Sequence, residues 1–406
     1  MSVDHKPSLL LALICFSGVI SMLSFALWPV FLVTLGSSWN LSNIEIGWIG
    51  GAYFIGYVLA TPFLVGGTDR VDARSIYIAG CGAIIVGCIG FAIFATDFWS
   101  AFVCWGLVGA GLAGTYMPGL QILNARLTAA HRIRAVPFYT SCFGFGTGGS
   151  FLAMGHFLMH ADYVTAAFAG AAAAALAALL VLFLIAPCAP PLVHGDGRRH
   201  PLDLRPAFRK PVALGYIAAY GAHTYELFAF RNWSFALFIF IGAQASPALS
   251  PSVIAVIVSL LTISGMLASI IGAKFCLHFG RHRMITLFGL GTAMLGLLSA
   301  FSLTAPLWVT IGTLWLFNIA IMLDSGALTA GTVEASDEHD RGALLAVHSM
   351  VGFAGGAVGG PVIGWMLDMG GGAESIDAWF GAVLVMGLGS AIVAFIQWRY
   401  WQRGNR

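Results

Sequence analysis

Three ionisable residues lie within one long apolar run of this sequence: His223, Glu226 and Arg231. A charged side chain near the centre of a helix in lipid costs about 2.5 to 3.5 kcal/mol, so such residues are expected to have a use. His223 and Glu226 are three positions apart, which places them on one helical face with Tyr220. The spacing predicts a polar stripe, edged by aromatic rings, that binds a ligand or exchanges a proton.

The depth of Glu226 in the run favours proton exchange. It lies about fourteen residues, roughly 21 Å, from the start of its predicted helix. Desolvation at that depth favours the neutral carboxyl, which suits a group that gains and loses a proton. Arg231 is offset from Glu226 by about 140° on a regular helix. We therefore expect either a helix break or an Arg231 side chain that reaches the outer water, and the alternative is a structural Glu226–Arg231 pair.

A second apolar run contains Asp324. The equivalent positions in the first half of the chain, around Phe16 and at Gly114, are apolar, so the predicted site is asymmetric. The first half offers neutral hydrogen-bonding groups instead, among them Tyr116. The alternative for Asp324 is structural: it would cap a neighbouring helix or contact His348.

The composition indicates which elements position these residues. Apolar residues make up 59% of the chain and charged residues 9%, whereas soluble domains average roughly 45 to 50% and about 25%. Each apolar run of about 20 residues is long enough to cross a bilayer as a helix. Twelve such runs predict an all-α membrane protein with twelve transmembrane helices, at residues 9–35, 44–66, 76–96, 99–122, 136–158, 162–186, 212–241, 252–273, 284–304, 306–330, 343–367 and 377–398.

The basic residues fall in alternate gaps between the runs. Lys6 precedes the first run, and Lys or Arg residues follow every even-numbered run, whereas the other gaps carry only acids. Because short basic loops stay on the cytoplasmic side, both termini are predicted to be cytoplasmic, in the inner membrane of a bacterium. The net charge of +2 is modest and gives no indication of a nucleic-acid partner.

The chain divides into two predicted halves. Residues 187–211 are rich in Pro and basic residues and have no apolar period, so they predict a cytoplasmic linker between a bundle at 1–186 and a bundle at 212–406. The halves resemble each other at an offset of about 209 residues, with Trp105 matching Trp315. Two pseudo-symmetric six-helix bundles around a site at the bilayer midplane are typical of transporters.

The loop after the second run resembles the G-x-x-x-D-R-x-G-R-R signature of the major facilitator superfamily. It matches at Asp69, Arg70 and Arg74, while two glycines and one arginine of the signature are replaced. With the twelve spans and the central linker, the chain is similar to the bacterial twelve-span members of that family. The resemblance implies a central cavity lined chiefly by spans 1, 4, 7 and 10, and a conformational-switch role for this loop. The alternative is a loop that is simply solvated.

The leading hypothesis is secondary active transport of a small organic solute, coupled to protons, by alternating access. Two buried acids against one buried base favour efflux of a cationic or neutral amphiphile. The alternative is proton-coupled uptake of a small organic anion that binds Arg231, and a transporter-like sensor without turnover is a third hypothesis. No nucleotide-binding loop, metal cluster or catalytic constellation occurs in the sequence, so we expect no enzyme activity and no cofactor. The expected partners are the solute, the proton and the lipid bilayer, and we expect a monomer.

Overall fold

The computed structural model describes residues 6–68, 70–189, 205–337 and 341–404, and every regular element within these ranges is an α-helix. In chain order the helices are α1 (Pro7–Ser21), α2 (Leu27–Ser38), α3 (Asn43–Gly67), α4 (Ala73–Phe94), α5 (Phe98–Arg126), α6 (Ala129–His160), α7 (Tyr163–Leu184), α8 (Arg205–Phe208), α9 (Pro211–Ala243), α10 (Pro251–Phe279), α11 (Arg281–Ser302), α12 (Leu307–Met322), α13 (Ser325–Glu334), α14 (Arg341–Met369) and α15 (Ile376–Gly404).

These helices account for the twelve predicted spans. Ten segments in the described ranges are long and apolar enough to cross a membrane, one of them being Leu307–Glu334, which comprises α12 and α13. The fifth span is α6, and the first span consists of the shorter helices α1 and α2. The prediction of an all-α, twelve-helix membrane protein is confirmed, with spans 1 and 10 each interrupted.

The contacts divide the chain into two compact units. Unit 1 contains Met1–Phe31 and Ala52–Pro201, and unit 2 contains Leu32–Gly51 and Leu202–Arg406. The segment Leu32–Gly51 therefore packs with the second half of the chain, although it precedes most of the first half in sequence. The boundaries predicted from the linker, 1–186 and 212–406, stay a prediction.

Two acids from the gaps without basic residues cap the helices that follow them. The Ser100 N–H donates to Asp97 Oδ1 at 2.8 Å, and the Thr165 N–H donates to Asp162 Oδ1 at 2.7 Å. These backbone hydrogen bonds lower the pKa of both exposed carboxyls, because they favour the ionised form. Each acid satisfies helix N–H groups that have no partner within the helix, which fixes where α5 and α7 begin.

Helices α9 and α14 in unit 2 pack with their backbones in close approach. A Cβ added at Gly359 would lie 3.1 Å from the Ala229 Cβ, and one at Gly355 would collide with the Gly221 carbonyl oxygen. Thr224 Oγ1 donates to the Gly352 oxygen at 2.6 Å across the same contact. The overlapping G-x-x-x-G spacing of span 11 thus serves helix packing, as it does in many membrane proteins.

The first turns of α3 pack on the other side of α14. A Cβ added at Gly47 would lie 2.6 Å from the Pro361 Cα. At the end of α14, Asp368 accepts hydrogen bonds from the Asn43 N–H at 3.0 Å, the Asn43 side-chain amide at 2.8 Å and the Ile44 N–H at 2.9 Å. A single carboxylate therefore caps the start of α3 within unit 2.

Candidate functional site

Helix α9 carries three of the predicted site residues and runs unbroken from Pro211 to Ala243. Arg231 lies in the middle of this continuous helix and is only 5% exposed. The expectation of a helix break or of an Arg231 that reaches the outer water is therefore wrong on both counts. Other elements of unit 2 surround α9, so a position that faces away from Glu226 is also buried. The Arg231 guanidinium carbon lies 5.8 Å from the centre of the Phe228 ring.

The centre of the site is a contact between His223 of α9 and Asp324 of the interrupted tenth span. His223 Nδ1 lies 2.8 Å from Asp324 Oδ1, and both side chains are almost completely buried. The two groups are close but not aligned for a hydrogen bond, since Asp324 Oδ1 has no hydrogen-bond partner in the described part of the chain. The contact is therefore electrostatic rather than directional. His223 Nε2 is also buried and makes no hydrogen bond within those residues.

The break in span 10 presents Asp324 to this site. Helix α12 ends at Met322 and α13 begins at Ser325, with Asp324 at the N-cap position. Its side chain makes no capping hydrogen bond, so the carboxylate is not used to complete the helix end. Of the two structural alternatives for Asp324, the structure supports neither a capping role nor a contact with His348.

His348 of α14 lies beside the pair as a stacking partner. The Tyr220 ring stacks on the His348 ring at a centroid distance of 3.8 Å and on the His223 ring at 5.7 Å. Both His348 nitrogens are engaged, Nε2 with Thr329 at 3.2 Å and Nδ1 with Thr332 at 3.0 Å. His348 is therefore held in place by α13, whereas one ring nitrogen of His223 makes no hydrogen bond among the described residues.

Glu226 does not join the His223–Asp324 pair. It is fully buried, and Ser390 of α15 donates a short hydrogen bond to its Oε2. A Cβ added at Gly389, the preceding residue of α15, would lie 2.7 Å from the Glu226 Cβ. The stripe predicted on α9 is thus divided: Tyr220 and His223 lie with α13 and α14, and Glu226 packs against α15.

Tyr116, the predicted contribution of the first half, lies on α5 in unit 1. Its ring stacks on Tyr139 at 5.8 Å, and Tyr139 donates to the Tyr116 carbonyl oxygen at 2.6 Å. Where span 1 is interrupted, Ser150 of α6 hydrogen-bonds to the backbone. It accepts from the Ala26 N–H at 2.8 Å and donates to the Leu23 oxygen at 2.5 Å. The interruption of span 1 therefore has a neutral hydrogen-bond partner, whereas the interruption of span 10 carries the acid Asp324.

Of the predicted conformational-switch loop, Asp69 lies outside the described residues and Arg70 is exposed. Arg74 donates to the Leu182 carbonyl oxygen at 2.6 Å. The neighbouring Asp72 makes more contacts: it accepts from the Arg74 N–H at 3.1 Å and the Cys188 N–H at 2.9 Å, and lies 3.6 Å from the Arg126 guanidinium. The contacts described in this loop thus attach α4 to the ends of α5 and α7.

Sequence inspection missed Ser390, Ser150 and Asp72 as partners of these groups. A lone serine in an apolar helix carries no signal of its own, because its use depends on which helix faces it. Asp72 did carry a signal, since an acid directly before a predicted helix is a typical N-cap. Among the described residues, no group of three or more His, Cys, Asp or Glu side chains could hold a metal ion.

Comparison with known proteins assigns the family. The family model of the Major Facilitator Superfamily matches residues 13–243, and the chain belongs to this family. Its fold is similar to that of the nucleoside transporter NupG, with a TM-score of 0.76 and 17% identity over 96% of this chain and 99% of that one.

Two further solved structures have folds similar to that of this chain. The bacterial homolog of the human lysosomal transporter Spinster, inward-facing and unoccupied, matches with a TM-score of 0.78 and 13% identity over 96% of both chains. The D-xylose–proton symporter matches with a TM-score of 0.76 and 14% identity over 96% of both chains. No curated protein sequence matches this chain. Family and fold together identify a secondary transporter of the major facilitator type.

Proposed function

We propose that this protein transports a small organic solute by alternating access, coupled to protons, and that it exports a cationic or neutral amphiphile. The observation that carries the proposal is the buried contact of His223 with Asp324 at the break of span 10. An ionisable pair inside a membrane protein typically belongs to a solute or proton pathway. Interrupted helices near the midplane are the usual place for such sites.

The His223–Asp324 pair can exchange a proton for a solute. The imidazole lies 2.8 Å from the carboxylate, so the charge of a proton on the ring is balanced by Asp324. A cation that binds Asp324 replaces the imidazolium as the partner of the carboxylate and releases the proton. A neutral solute would instead hydrogen-bond to the His223 Nε2, which is buried and has no partner in the described residues.

The charges around the site favour a cationic or neutral solute. Asp324 and Glu226 are both buried acids, and a positively charged solute would offset the charge of an ionised carboxyl there. Two of the similar folds belong to a nucleoside transporter and to a proton symporter for D-xylose, so this fold carries neutral solutes and proton coupling elsewhere.

A second candidate is proton-coupled uptake of a small organic anion. It is favoured by the burial of Arg231, which is 5% exposed on the same helix as Glu226 and His223. A buried guanidinium is a strong carboxylate-binding group because it donates two parallel hydrogen bonds. The two candidates predict opposite effects of neutralising Arg231.

The test begins with thermal shifts of the purified protein, since a ligand that binds only the folded state raises its stability. The probes are tetraphenylphosphonium as the cation, uridine and D-xylose as neutral solutes, and benzoate as the anion. We expect the cation or a neutral solute to stabilise the protein. Asp324→Asn should weaken binding of the cation by about tenfold or more, equal to about 1.4 kcal/mol, because it removes the opposite charge. Arg231→Gln should leave this affinity intact.

Stabilisation by benzoate that is lost in Arg231→Gln would favour the anion candidate instead. The stabilising probe is then used for transport in liposomes. We expect accumulation only when a pH gradient is imposed, and we expect Glu226→Gln to lose accumulation while exchange of solute across the membrane survives. Accumulation that proceeds at full rate in Glu226→Gln, with affinity insensitive to both Asp324 and Arg231, would exclude this site.

A further inference from the structure

We propose that Glu226 and Ser390 form a proton-binding site in the α9–α15 interface, separate from the solute site at His223 and Asp324, and that repulsion between Glu226 and Asp324 couples the two. The coupling rests on the proposed function, because it assumes that a cationic solute binds Asp324. The proton site itself depends only on the geometry of α9 and α15.

The site is enclosed and has a single polar partner in the described part of the chain. Ser390 Oγ donates to Glu226 Oε2, while Glu226 Oε1 is buried without a hydrogen bond there. Glu226 is 0% exposed and Ser390 is 3% exposed. Gly389 lets the two helices approach here, because a Cβ at that position would also lie 2.6 Å from the Ala222 carbonyl oxygen. An ionised carboxyl in this place has Ser390 as its hydrogen-bond donor among the described residues, where water would supply several donors.

The interface does not need Glu226 to hold it together. Tyr225 donates to the Val385 oxygen at 3.1 Å, and toward the start of α9 the Gln397 amide donates to the Gly215 oxygen at 3.2 Å. Tyr400 donates to the Pro211 oxygen at 2.6 Å. These neutral contacts already attach α9 to α15. A carboxyl among them costs more than a neutral residue would, which points to use of its proton.

The charged and titratable neighbours indicate how the proton is coupled. Glu226 lies three residues after His223 on α9, and His223 Nδ1 is 2.8 Å from Asp324 Oδ1, so the two acids are separated by about one helical turn and one imidazole ring. Tyr225 precedes Glu226 on the same helix. The other titratable rings are those of His223 and His348, which both stack on Tyr220 in the solute site. Two buried acids that repel each other are not easily ionised together. When a cation binds Asp324 beside a neutral His223, it offsets the charge of Asp324 and Glu226 loses its proton more easily, so solute binding and proton release occur together and the outcome is exchange.

The test follows the C=O stretching band of a protonated carboxylic acid by infrared difference spectroscopy of the purified full-length protein at a series of pH values. The buried acid band should be absent in Glu226→Gln. Ser390→Ala removes the hydrogen bond to the ionised form, so the titration midpoint of the band should move about one to two pH units toward alkaline pH. Ser390→Thr keeps a hydroxyl and should restore the original midpoint.

Ser299→Ala is the matched control. Ser299 lies on α11, is 0% exposed, and its hydroxyl has no hydrogen bond among the described residues. This variant removes a buried hydroxyl of unit 2 without touching Glu226, so its midpoint should equal that of the unmodified protein. Equal midpoints for Ser390→Ala and Ser299→Ala, or an acid band that persists in Glu226→Gln, would overturn the proton site.

Tetraphenylphosphonium tests the coupling. Its addition should move the midpoint of the band toward acidic pH, and Asp324→Asn should abolish that displacement. A displacement that persists in Asp324→Asn contradicts the coupling through Asp324. The infrared experiment requires no transport, so its failure is distinguishable from failure of the proposed function: a correct titration without solute transport leaves the proton site and removes the transport proposal.

Discussion

The two halves of the chain join their helices by different contacts at equivalent positions. In unit 1, Gly109 of α5 lies so close to α3 that an added Cβ would collide with the Tyr53 carbonyl oxygen. About 209 residues later, Asn318 of α12 donates to the Leu261 oxygen of α10 at 2.7 Å. The first half joins its second and fourth spans by direct backbone contact, and the second half inserts an amide between the corresponding helices.

An ion pair at equivalent positions also differs between the two halves, because the acid and the base have exchanged places. In unit 1 the acid is Asp72, before α4, and the base is Arg126, at the end of α5. In unit 2 the base is Arg281, at the start of α11, and the acid is Glu334, at the end of α13. Both pairs join the start of one span to the end of the next. The ion pair can therefore form with the acid and the base in either order. The residues around each pair decide which order occurs in that half.

The interiors differ most. Ser17 occupies the position equivalent to Glu226, and Gly114 packs against Gly80 near the position equivalent to Asp324. The first half is closely packed and neutral at these positions, whereas the second half carries the acids and interrupts its tenth span beside one of them. Although the architecture is repeated, the first half uses these positions for helix packing. The second half has ionisable side chains there.

The largest expected loss of stability is at the close helix contact of unit 1. Gly109→Ala forces a methyl group into the Tyr53 carbonyl, and since backbone cannot rotate away, we expect at least about 3 kcal/mol of destabilisation and a low yield of monodisperse protein. Asn318→Ala loses a hydrogen bond and should cost about 1 kcal/mol. Thermal unfolding of the detergent-solubilised protein measures both. Gly82→Ala is the control, because a Cβ there meets nothing within 4 Å. Equal melting temperatures for Gly109→Ala and Gly82→Ala would contradict the close approach.

A smaller effect is expected at the buried ion pair. The side chains of Asp72 and Arg126 are 14% and 5% exposed, so Asp72→Asn should destabilise unit 1 by about 2 to 3 kcal/mol, somewhat below the cost of breaking a fully buried pair. Exchanging the two residues, Asp72→Arg with Arg126→Asp, should not restore stability, because arginine cannot accept from the Arg74 and Cys188 N–H groups. Full recovery in the double variant would show that only the charges matter. Thermal unfolding again provides the measurement.

The smallest effect is expected at the equivalent pair in unit 2. The Glu334 side chain is 63% exposed, so solvent screens it and Glu334→Gln should cost only about 0 to 1 kcal/mol. The exchange Arg281→Glu with Glu334→Arg should be tolerated, because Glu334 makes no contact comparable to the helix cap of Asp72 among the described residues. A loss as large as that of Asp72→Asn would mean that the two pairs are equivalent after all.

Much of the fold was predictable and less of the site. The twelve apolar runs predicted the helices because lipid leaves a spanning backbone few alternatives. The glycine spacing of span 11 is typical of close helix packing, but it does not say that the partner is α9. His223 and Asp324, singled out from different runs, lie together. The expectation for Arg231 was wrong, since helical periodicity alone does not say that both faces of α9 are covered by other helices.

The sequence by itself determined the class of this protein: the number of spans, the family resemblance and the presence of ionisable groups in apolar runs all follow from local composition and order. Only the tertiary structure decided how those groups are used. It placed Asp324 beside His223 and directed Glu226 to Ser390, a residue 164 positions away in sequence. The physical reason is that local order fixes which helices form, whereas the packing of distant helices fixes which polar atoms share an interior.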